Sequence, residues 1–417
     1  MTQWWLALWR RGAKRTRKLR TTPRLECLEE RNLLTTGLQV VPSPVINNSI
    51  LLGTAAIASN DIWAAGFIGG TTDVTLAEHF DGTSWSVVPT PSIGNAQFAS
   101  VSAASRNDVW AVGSKGNSTS QPLIEHWNGA SWTESPSPRL AAGGFLNGVT
   151  AVSSNNAWAV GTAINSSNSL VEHWDGTQWS IVSSPAFTGG GGGAAISADS
   201  SNDVWAVGGS TTLHWNGTNW SRVPATGLVG LSSVTALSPT NVWAVGIQTH
   251  RHGIPVIEHW DGTSWSIVSS PNPNPNVTSR LSGIAAISAN DIWAVGNDAG
   301  WFSEHWDGTS WSIVNSPTGG ELFGVTALSN GTVVAVGSAG SSALIVSNSP
   351  TLAPASATTA GTLAAAPTMT MPAPLDAAQV DQFFAMVAKA DRSWWIAGLS
   401  SGAQDAQANG DLEMSIR

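Results

Sequence analysis

Short apolar runs, separated by polar turns, cover most of this chain. The stretch from Leu231 to Val268 contains four of them in succession, LSSVTALS, NVWAVG, PVIEHW and TSWSIV. Alternating or continuous apolar runs of this length are typical of β-strands, and the region lacks the 3.6-residue period of an amphipathic helix. The DG pair between the third and fourth runs is a strong hairpin signal. The pattern predicts four antiparallel strands joined by short turns.

This unit recurs along the chain and carries Trp at the same positions each time. Its second strand contains WAxG, and successive copies are 38 to 50 residues apart. The copies contain Trp63, Trp110, Trp158, Trp205, Trp243 and Trp293, and a seventh has Val334 instead. A repeat of this length with four short strands is typical of a propeller blade. We therefore expect an all-β, seven-bladed β-propeller of four-stranded antiparallel blades.

The last unit lacks one strand, and the beginning of the repeat region can supply it. Complete units span about residues 53–92, 98–138, 146–186, 194–225, 231–272 and 282–317, whereas the seventh, 322–348, has only three strands. The segment LQVVPSP (Leu38–Pro44) matches WSVVPTP (Trp85–Pro91) one period later. The match predicts that an N-terminal strand completes the last blade and closes the ring, which removes two exposed sheet edges.

The unit resembles the kelch repeat of kelch proteins and of the central domain of galactose oxidase. The second copy has Gly113 at the end of strand two, the pair Trp127–Asn128 in strand three, and Trp132 in strand four. It departs from kelch in its mostly single glycine, in Trp in place of Tyr, and in a shorter turn between strands three and four. The resemblance implies a kelch-like propeller over residues 37–350 and leaves the activity open, because propellers host many functions.

The charge distribution narrows the class of partner. The 417-residue chain has a net charge of −9, but residues 1–31 hold nine Lys or Arg and three acids, so the remainder carries −15. An acidic body argues against nucleic acid or an anionic membrane surface as the main partner. No run of 18 apolar residues is present, so no membrane span is expected. The single cysteine, Cys27, cannot form a disulfide within the chain.

Both ends of the chain differ from the repeats, and their composition predicts disordered extensions. Residues 1–36 form a basic segment in which RLECLEERNLL (Arg24–Leu34) resembles the LExLExRxLL motif of exported or surface proteins of planctomycete-type bacteria. The resemblance implies export, and an inert basic tail is the alternative. Residues 351–374 are a Pro/Ala/Thr linker. Residues 375–417 form a tail in which a short amphipathic helix is expected after Asp376.

The sequence EHW in the third strand offers a recurrent histidine. These residues are His79, His126, His173, His214, His259 and His305, and Glu precedes five of them, while Leu213 precedes the sixth. Residues that recur in every blade serve a need of every blade, namely packing or a hydrogen bond to the next blade. Equivalent third-strand residues are also too far apart to share a zinc ion. We therefore expect no metal site and no cofactor.

Residues outside the repeat pattern are the candidates for ligand binding. The turns between strands one and two and between strands three and four hardly vary, and Asp175 and Asp261 belong to the second kind. The connections on the opposite rim vary in length and chemistry, and variable loops on a rigid frame are the usual place for binding. The predicted ligand-binding residues, all interpreted as loop residues, are His250, Arg251, His252, Arg280, Trp301 and Phe302.

These observations favour a non-enzymatic binding or scaffolding module. Its expected ligand is a protein or a polysaccharide, and the expected setting is the bacterial cell surface or the extracellular space, with the protein as a monomer. The alternative is a carbohydrate-active hydrolase or lyase that works in the propeller funnel. Such an enzyme needs convergent carboxylates, and the variable loops supply few, mainly Asp73, Asp298 and Glu321. No catalytic residue is therefore assigned.

Overall fold

The structure is a computed structural model that describes residues 37–164, 169–188, 195–226, 229–248, 253–298, 300–314, 319–349 and 352. The predicted export-like segment (1–36), the C-terminal tail (375–417) and the linker apart from Leu352 lie outside the described residues. The structure therefore concerns the repeat region.

The described strands form seven separate four-stranded antiparallel sheets, one for each repeat, which confirms the predicted fold class. The first strand of each sheet contacts the first strand of the next, and the first strand of blade one (Ser49–Ala58) contacts that of blade seven (Glu321–Ala327), so that the sheets close into a ring.

The first four blades have the following strands. Blade one comprises β2 (Ser49–Ala58), β3 (Asp61–Ile68), β4 (Val74–Phe80) and β5 (Trp85–Val87). Blade two comprises β6 (Ala96–Ser105), β7 (Asp108–Lys115), β8 (Gln121–Trp127) and β9 (Trp132–Glu134). Blade three comprises β10 (Gly144–Ser153), β11 (Asn156–Ala163), β12 (Ser169–Trp174) and β13 (Trp179–Ile181). Blade four comprises β14 (Ala195–Ser200), β15 (Asp203–Gly208), β16 (Thr211–Trp215) and β17 (Trp220–Val223).

The remaining three blades follow the same order. Blade five comprises β18 (Val229–Ser238), β19 (Asn241–Gln248), β20 (Ile254–Trp260) and β21 (Trp265–Val268). Blade six comprises β22 (Arg280–Ser288), β23 (Asp291–Asn297), β24 (Trp301–Trp306) and β25 (Trp311–Val314). Blade seven comprises β26 (Glu321–Ala327), β27 (Val333–Ala339), β28 (Ser342–Ser347) and β1 (Gln39–Val40).

The N-terminal strand closes the ring, as the sequence predicts. Strand β1 lies at the outer edge of blade seven and pairs antiparallel with β28, with Val40 opposite Val346. The amide of Val41 also donates to the carbonyl oxygen of Ile345 at 2.8 Å. Leu38 precedes the strand and is fully buried in the cluster that joins blades six and seven. The first and last parts of the repeat region thus share one sheet.

The glycine of WAxG is required because strand one passes very close to it. A Cβ atom on Gly66 would lie 1.9 Å from the carbonyl oxygen of Ile50, and one on Gly161 would lie 2.0 Å from that of Phe145. Backbone atoms cannot yield to such a clash, so no larger residue fits without moving strand one. In the six blades for which this approach is seen, the glycine of WAxG, or of VAVG in blade seven, is therefore a packing requirement.

Hydrophobic burial occurs between blades and not within them. Trp63 of blade one is 1% exposed, and its ring centroid lies 5.0 Å from that of Trp127 and 5.3 Å from that of Trp132, both in blade two. The corresponding tryptophans of blades two to five make the same two contacts with the following blade. Each repeat therefore buries its largest side chain only when its neighbour is in place.

We expect the substitution Leu38→Ala to destabilise the protein by about 2–5 kcal/mol, because it leaves a cavity in the closing junction. The control Val45→Ala, at a side chain that is 87% exposed, should change stability by less than about 0.5 kcal/mol. Chemical denaturation of the full chain and of a chain without residues 1–36 measures both effects. Equal denaturation midpoints for Leu38→Ala and the unsubstituted protein would contradict the closing role.

Candidate ligand-binding rim

One rim of the ring, here called the constant rim, consists of the turns between strands one and two and between strands three and four. In blade one, Asp81 Oδ1 accepts hydrogen bonds from the Thr83 amide at 2.8 Å, the Thr83 hydroxyl at 2.6 Å and the Ser84 amide at 3.0 Å. These bonds lower the pKa of Asp81 to about 2. Gly82 has a φ of 97° and lies against Asn60 of the neighbouring turn. The turn chemistry of this rim serves the fold.

The recurrent histidines also have a structural role. His214 Nε2 donates to Asp203 Oδ1 at 2.6 Å, and the same oxygen accepts from Trp205 Nε1 at 3.0 Å. The His214 ring stacks on Trp205 with centroids 4.3 Å apart. The equivalent pairs are His79–Asp61, His126–Asp108, His173–Asn156, His259–Asn241 and His305–Asp291. This hydrogen bond therefore lies within one blade. The sequence analysis suggested packing or a hydrogen bond to the next blade, and the structure shows the hydrogen bond in the histidine's own blade instead.

The partner of the histidine differs between blades in its charge. In blades three and five it is a neutral Asn, and burial lowers the pKa of His173 and of His259. Each ring nitrogen Nε2 is engaged by its Asp or Asn, so it is not free to bind a metal. Among the residues that the structure describes, no group of three or more His, Cys, Asp or Glu is arranged to hold a metal ion.

The opposite rim, here called the variable rim, brings together the loops between strands two and three and the connections between blades. The Ala96 amide donates to the Asp73 carbonyl at 3.0 Å, which joins the connection into blade two to the loop of blade one. The Ser279 amide likewise donates to the Gly253 carbonyl at 2.9 Å. Each such loop therefore lies beside the beginning of the following blade.

A set of residues lies at the variable-rim end of the first strands, the strands whose other residues line the central channel. Each member pairs with the residue after the strand-two glycine, or its equivalent, and each is half-buried. These mouth residues are Ile50, Gln97, Phe145, Gly230, Arg280 and Glu321; the corresponding position of blade four lies outside the described residues. The residue that follows each of them is a buried Leu or Phe, so a position that varies between blades lies directly beside one that stays apolar.

The central channel itself is small and uncharged. Its cavity measures about 300 Å³ and is lined by the first strands of all seven blades. Ser102 Oγ accepts from the Ala151 amide at 3.0 Å, and Ser197 Oγ accepts from the Ala236 amide at 3.0 Å, so hydroxyls of the lining link neighbouring blades. Among the residues that the structure describes, those that line this cavity include no charged side chain.

The predicted ligand-binding residues differ in their position in the strands and in their exposure. Arg280 is half-buried at the start of β22 and belongs to the mouth residues. Trp301 and Phe302 begin β24 and are not loop residues; each is 5% exposed. Trp301 packs in the junction of blades six and seven, and Phe302 in the junction of blades five and six. Their role in ligand binding stays a prediction.

The other three predicted residues, His250, Arg251 and His252, lie outside the described residues. The residue that follows them, Gly253, is joined by its carbonyl to Ser279, next to Arg280. The structure thus brings the end of this loop to the mouth residue of blade six.

Sequence reasoning missed most of the mouth residues. Ile50, Gln97 and Phe145 were not singled out, although each immediately precedes a buried Leu or Phe of a first strand. It also missed Asn297, whose Oδ1 accepts from the Leu322 amide at 2.7 Å and thereby ties blade six to blade seven. A signal in the sequence could have found the mouth residues. The residue after the strand-two glycine differs between the repeats, and the mouth residue is its partner on strand one.

Comparison with known proteins defines the fold class. No family model matches the chain, and no curated protein matches it. Among solved structures, YCF48 from Cyanidioschyzon merolae is similar over 74% of this chain and 98% of its own, with a TM-score of 0.54 and 17% identity. The structure of YCF48 bound to a D1 peptide is similar over 74% of this chain and 94% of its own, with a TM-score of 0.52 and 16% identity.

A second type of propeller is similar to the same extent. The WD40 β-propeller domain of Doa1 matches over 76% of this chain and 99% of its own, with a TM-score of 0.55 and 12% identity. Likeness at these identities shows the fold alone, and together with the seven sheets it defines a WD40-like seven-bladed β-propeller. The described residues include no helix that is long and apolar enough to cross a membrane.

We expect His126→Ala to lower stability by about 1–3 kcal/mol, because it leaves the buried Asp108 carboxylate without its donor. His126 Nε2 lies 2.7 Å from Asp108 Oδ1, and its ring stacks on Trp110 at 4.2 Å.

A chelator should leave the melting temperature of the unsubstituted protein unchanged. One zinc or copper ion per chain in purified protein, lost when His250 and His252 are replaced together, would contradict the structural role and indicate a metal site.

Proposed function

We propose that this protein is a non-enzymatic binding or scaffolding propeller whose mouth on the variable rim binds an extended segment of a partner protein. The observation that carries the proposal is the set of mouth residues. A frame that repeats almost everywhere places a different side chain at this position in each blade. Such blade-specific chemistry on a rigid frame is what recognition of an asymmetric ligand requires.

The chemistry of the mouth fits a peptide. Ile50 and Phe145 are apolar, Gln97 is an amide, and Arg280 and Glu321 are oppositely charged. A peptide presents apolar, polar and charged groups along one extended chain, so it can meet all of them. One of the similar structures, YCF48, contains a D1 peptide, which supports a peptide as the class of ligand on this fold.

A polysaccharide and an enzymatic reaction are less well supported. Sugar rings stack on exposed aromatic faces, whereas Trp301 is 5% exposed. Among the acids proposed for catalysis, Asp73 Oδ2 accepts a hydrogen bond from Gln97, and Asp298 Oδ1 accepts one from the Gly300 amide at 3.1 Å. These contacts give both carboxylates a role in shaping loops. The binding function needs neither of them as an acid or base.

We also propose that the protein acts at the bacterial cell surface or outside the cell, as a monomer. The support is the resemblance of Arg24–Leu34 to the motif of exported proteins. The kelch-like type of the repeat, with its strand-two glycine and its strand-four tryptophan, is part of the same proposal.

We expect antibody labelling of intact cells to detect the full chain at the surface or in the medium, because the motif implies export. A chain without residues 1–36 should stay inside the cell. Equal retention of both chains inside the cell would contradict the proposed localisation without affecting the binding function.

For binding, we expect Arg280→Gln to weaken a peptide ligand by more than about 1 kcal/mol, about fivefold in affinity, with an unchanged melting temperature. The ligand is selected from a random peptide library on the full chain, and affinity is measured by fluorescence anisotropy. The matched control is Arg106→Gln, which removes an exposed arginine from the constant rim and should not affect binding.

Asp261→Ala in the constant rim should instead lower stability and leave affinity unchanged, because it removes three turn hydrogen bonds. The proposal fails if affinity depends on Arg106 or Asp261 and tolerates Arg280→Gln. Enrichment of glycans, and of no peptide, on an array probed with the same protein would favour the polysaccharide alternative.

A further inference from the structure

Five junctions between blades enclose a glutamate in the described part of the ring. Each occupies the same third-strand position, and each is 0% exposed: Glu78, Glu125, Glu172, Glu258 and Glu304. The equivalent residue is Leu213 in blade four and Val346 in blade seven, both also fully buried. The site is therefore apolar in character, and a leucine or a valine fills it without difficulty.

Among the described residues, the hydrogen-bond partners of three of these carboxyl groups belong to the segment that leaves the preceding blade. Ser137 Oγ donates to Glu172 and lies 2.9 Å and 3.0 Å from its two oxygens. Ser270 Oγ lies 2.7 Å from Glu304 Oε2, and Thr226 donates to Glu258 Oε1. One neutral hydroxyl, joined at Glu258 by the backbone amide of Thr226, does not compensate a buried negative charge.

The first two blades lack even this contact. Neither oxygen of Glu78 or Glu125 has a hydrogen-bond partner among the described residues. Thr90 precedes Glu125 by 35 residues, as Ser137 precedes Glu172, but its hydroxyl pairs with that of Thr75 at 2.7 Å. An ionised carboxylate without any donor would be far more costly at this depth than a neutral acid.

Charged groups around the glutamates do not replace the missing donors. Beside Glu125, Glu134 lies directly opposite on β9 and pairs with Lys115. The facing blade presents His79 bound to Asp61, and Arg106 lies 3.7 Å from the same Asp61.

The other junctions show the same type of arrangement on the facing blade. In three of them the facing blade presents a histidine bound to its own Asp or Asn. The pairs are His126–Asp108 towards Glu172, His214–Asp203 towards Glu258, and His259–Asn241 towards Glu304. Towards Glu78, blade seven presents Val334 and Val336. Each of these histidines is already bound to its own Asp or Asn, and no cation is paired with any of the five glutamates among the described residues.

We propose that the blade junctions close around neutral carboxylic acids, so that the propeller is a proton-dependent ring whose junctions loosen as the pH rises through neutrality. A protonated carboxyl keeps one donor and one acceptor and carries no charge into the junction. Ionisation places a negative charge at each of five places around the ring, and the chain relieves it by separating the blades there.

The pKa values of the five glutamates in the folded chain support the proposal. Burial raises the pKa of Glu78, Glu172 and Glu304 from 4.5 to about 7, and that of Glu125 to about 8; it also raises the pKa of Glu258. Above pH 4.5 the unfolded chain has largely lost these protons while the folded chain keeps them. The contribution to stability is thus complete below pH 4.5 and is lost as the pH rises to about 8.

Thermal unfolding of the full chain as a function of pH tests the proposal. We expect the melting temperature to fall by at least about 5 °C between about pH 5 and about pH 9. The double variant Glu78→Gln with Glu125→Gln, which cannot ionise there, should show a smaller fall and melt above the unsubstituted protein at the alkaline end.

The matched control is Asp175→Asn. This exposed turn residue has a pKa of about 2, so it does not titrate in the tested range, and two other blades carry Asn128 and Asn216 at its position. It should keep the full pH dependence. A melting temperature that does not change between the two pH values, or an equal fall in the double variant, would overturn the proposal.

Infrared spectroscopy of the unsubstituted protein decides the case even if the double variant does not fold. The carbonyl band of protonated carboxylic acids should be present at about pH 6 and lost at about pH 9, near and above the shifted pKa range. Absence of the band at the lower pH would mean that the junction glutamates are ionised in the folded ring, and the proposal would then be wrong.

Discussion

The packing of the strand-two tryptophan against the next blade is the interaction on which this structure depends. A four-stranded sheet of this size has no interior of its own, so both of its faces must be covered by neighbours. Trp63, Trp110, Trp158 and Trp205 are at most 2% exposed, and each is covered by two tryptophans of the following blade. Stability is consequently a property of the closed ring. Blade seven, in which Val334 and Leu38 stand in place of Trp, is the sheet that β1 joins.

The same dependence divides the molecule into a repetitive part and a variable part. Many positions that pack within a blade or against its neighbour recur in most copies, from the glycine under strand one to the histidine on the tryptophan. The constant rim is constrained as well, because its Asp residues satisfy the amides of tight turns. Opposite the residue that follows the strand-two glycine, the first-strand residues Ile50, Gln97 and Arg280 differ in chemistry. Recognition can therefore change at these first-strand positions, whereas Asn297, opposite Arg280, also serves the junction through Leu322.

The repeat pattern predicted the blades and the closing strand because burial in every copy leaves a periodic trace. Leu38 could be recognised for this reason, one period before Trp85. Trp301 and Phe302 could not be placed, because the loop of blade six is short and the strand simply extends into it, which turns residues outside the repeat into core. The partner of the histidine was also ambiguous in sequence. Asp203 and His214 share a face only through the pairing of β15 with β16, and the linear chain does not reveal that pairing.

The distribution of buried carboxyl groups follows from the same geometry and has a consequence for the mouth. Two junctions contain no glutamate: Leu213 faces blade three, and Val346 faces blade six. The second of these lies beneath Arg280 and Glu321, where Asn297 also joins the two blades by a hydrogen bond to Leu322. This junction, like that of Leu213, has no buried glutamate at the third-strand position. The pair of oppositely charged mouth residues thus lies at a junction where ionisation of the buried glutamates introduces no charge, so loosening elsewhere need not abolish their relative placement.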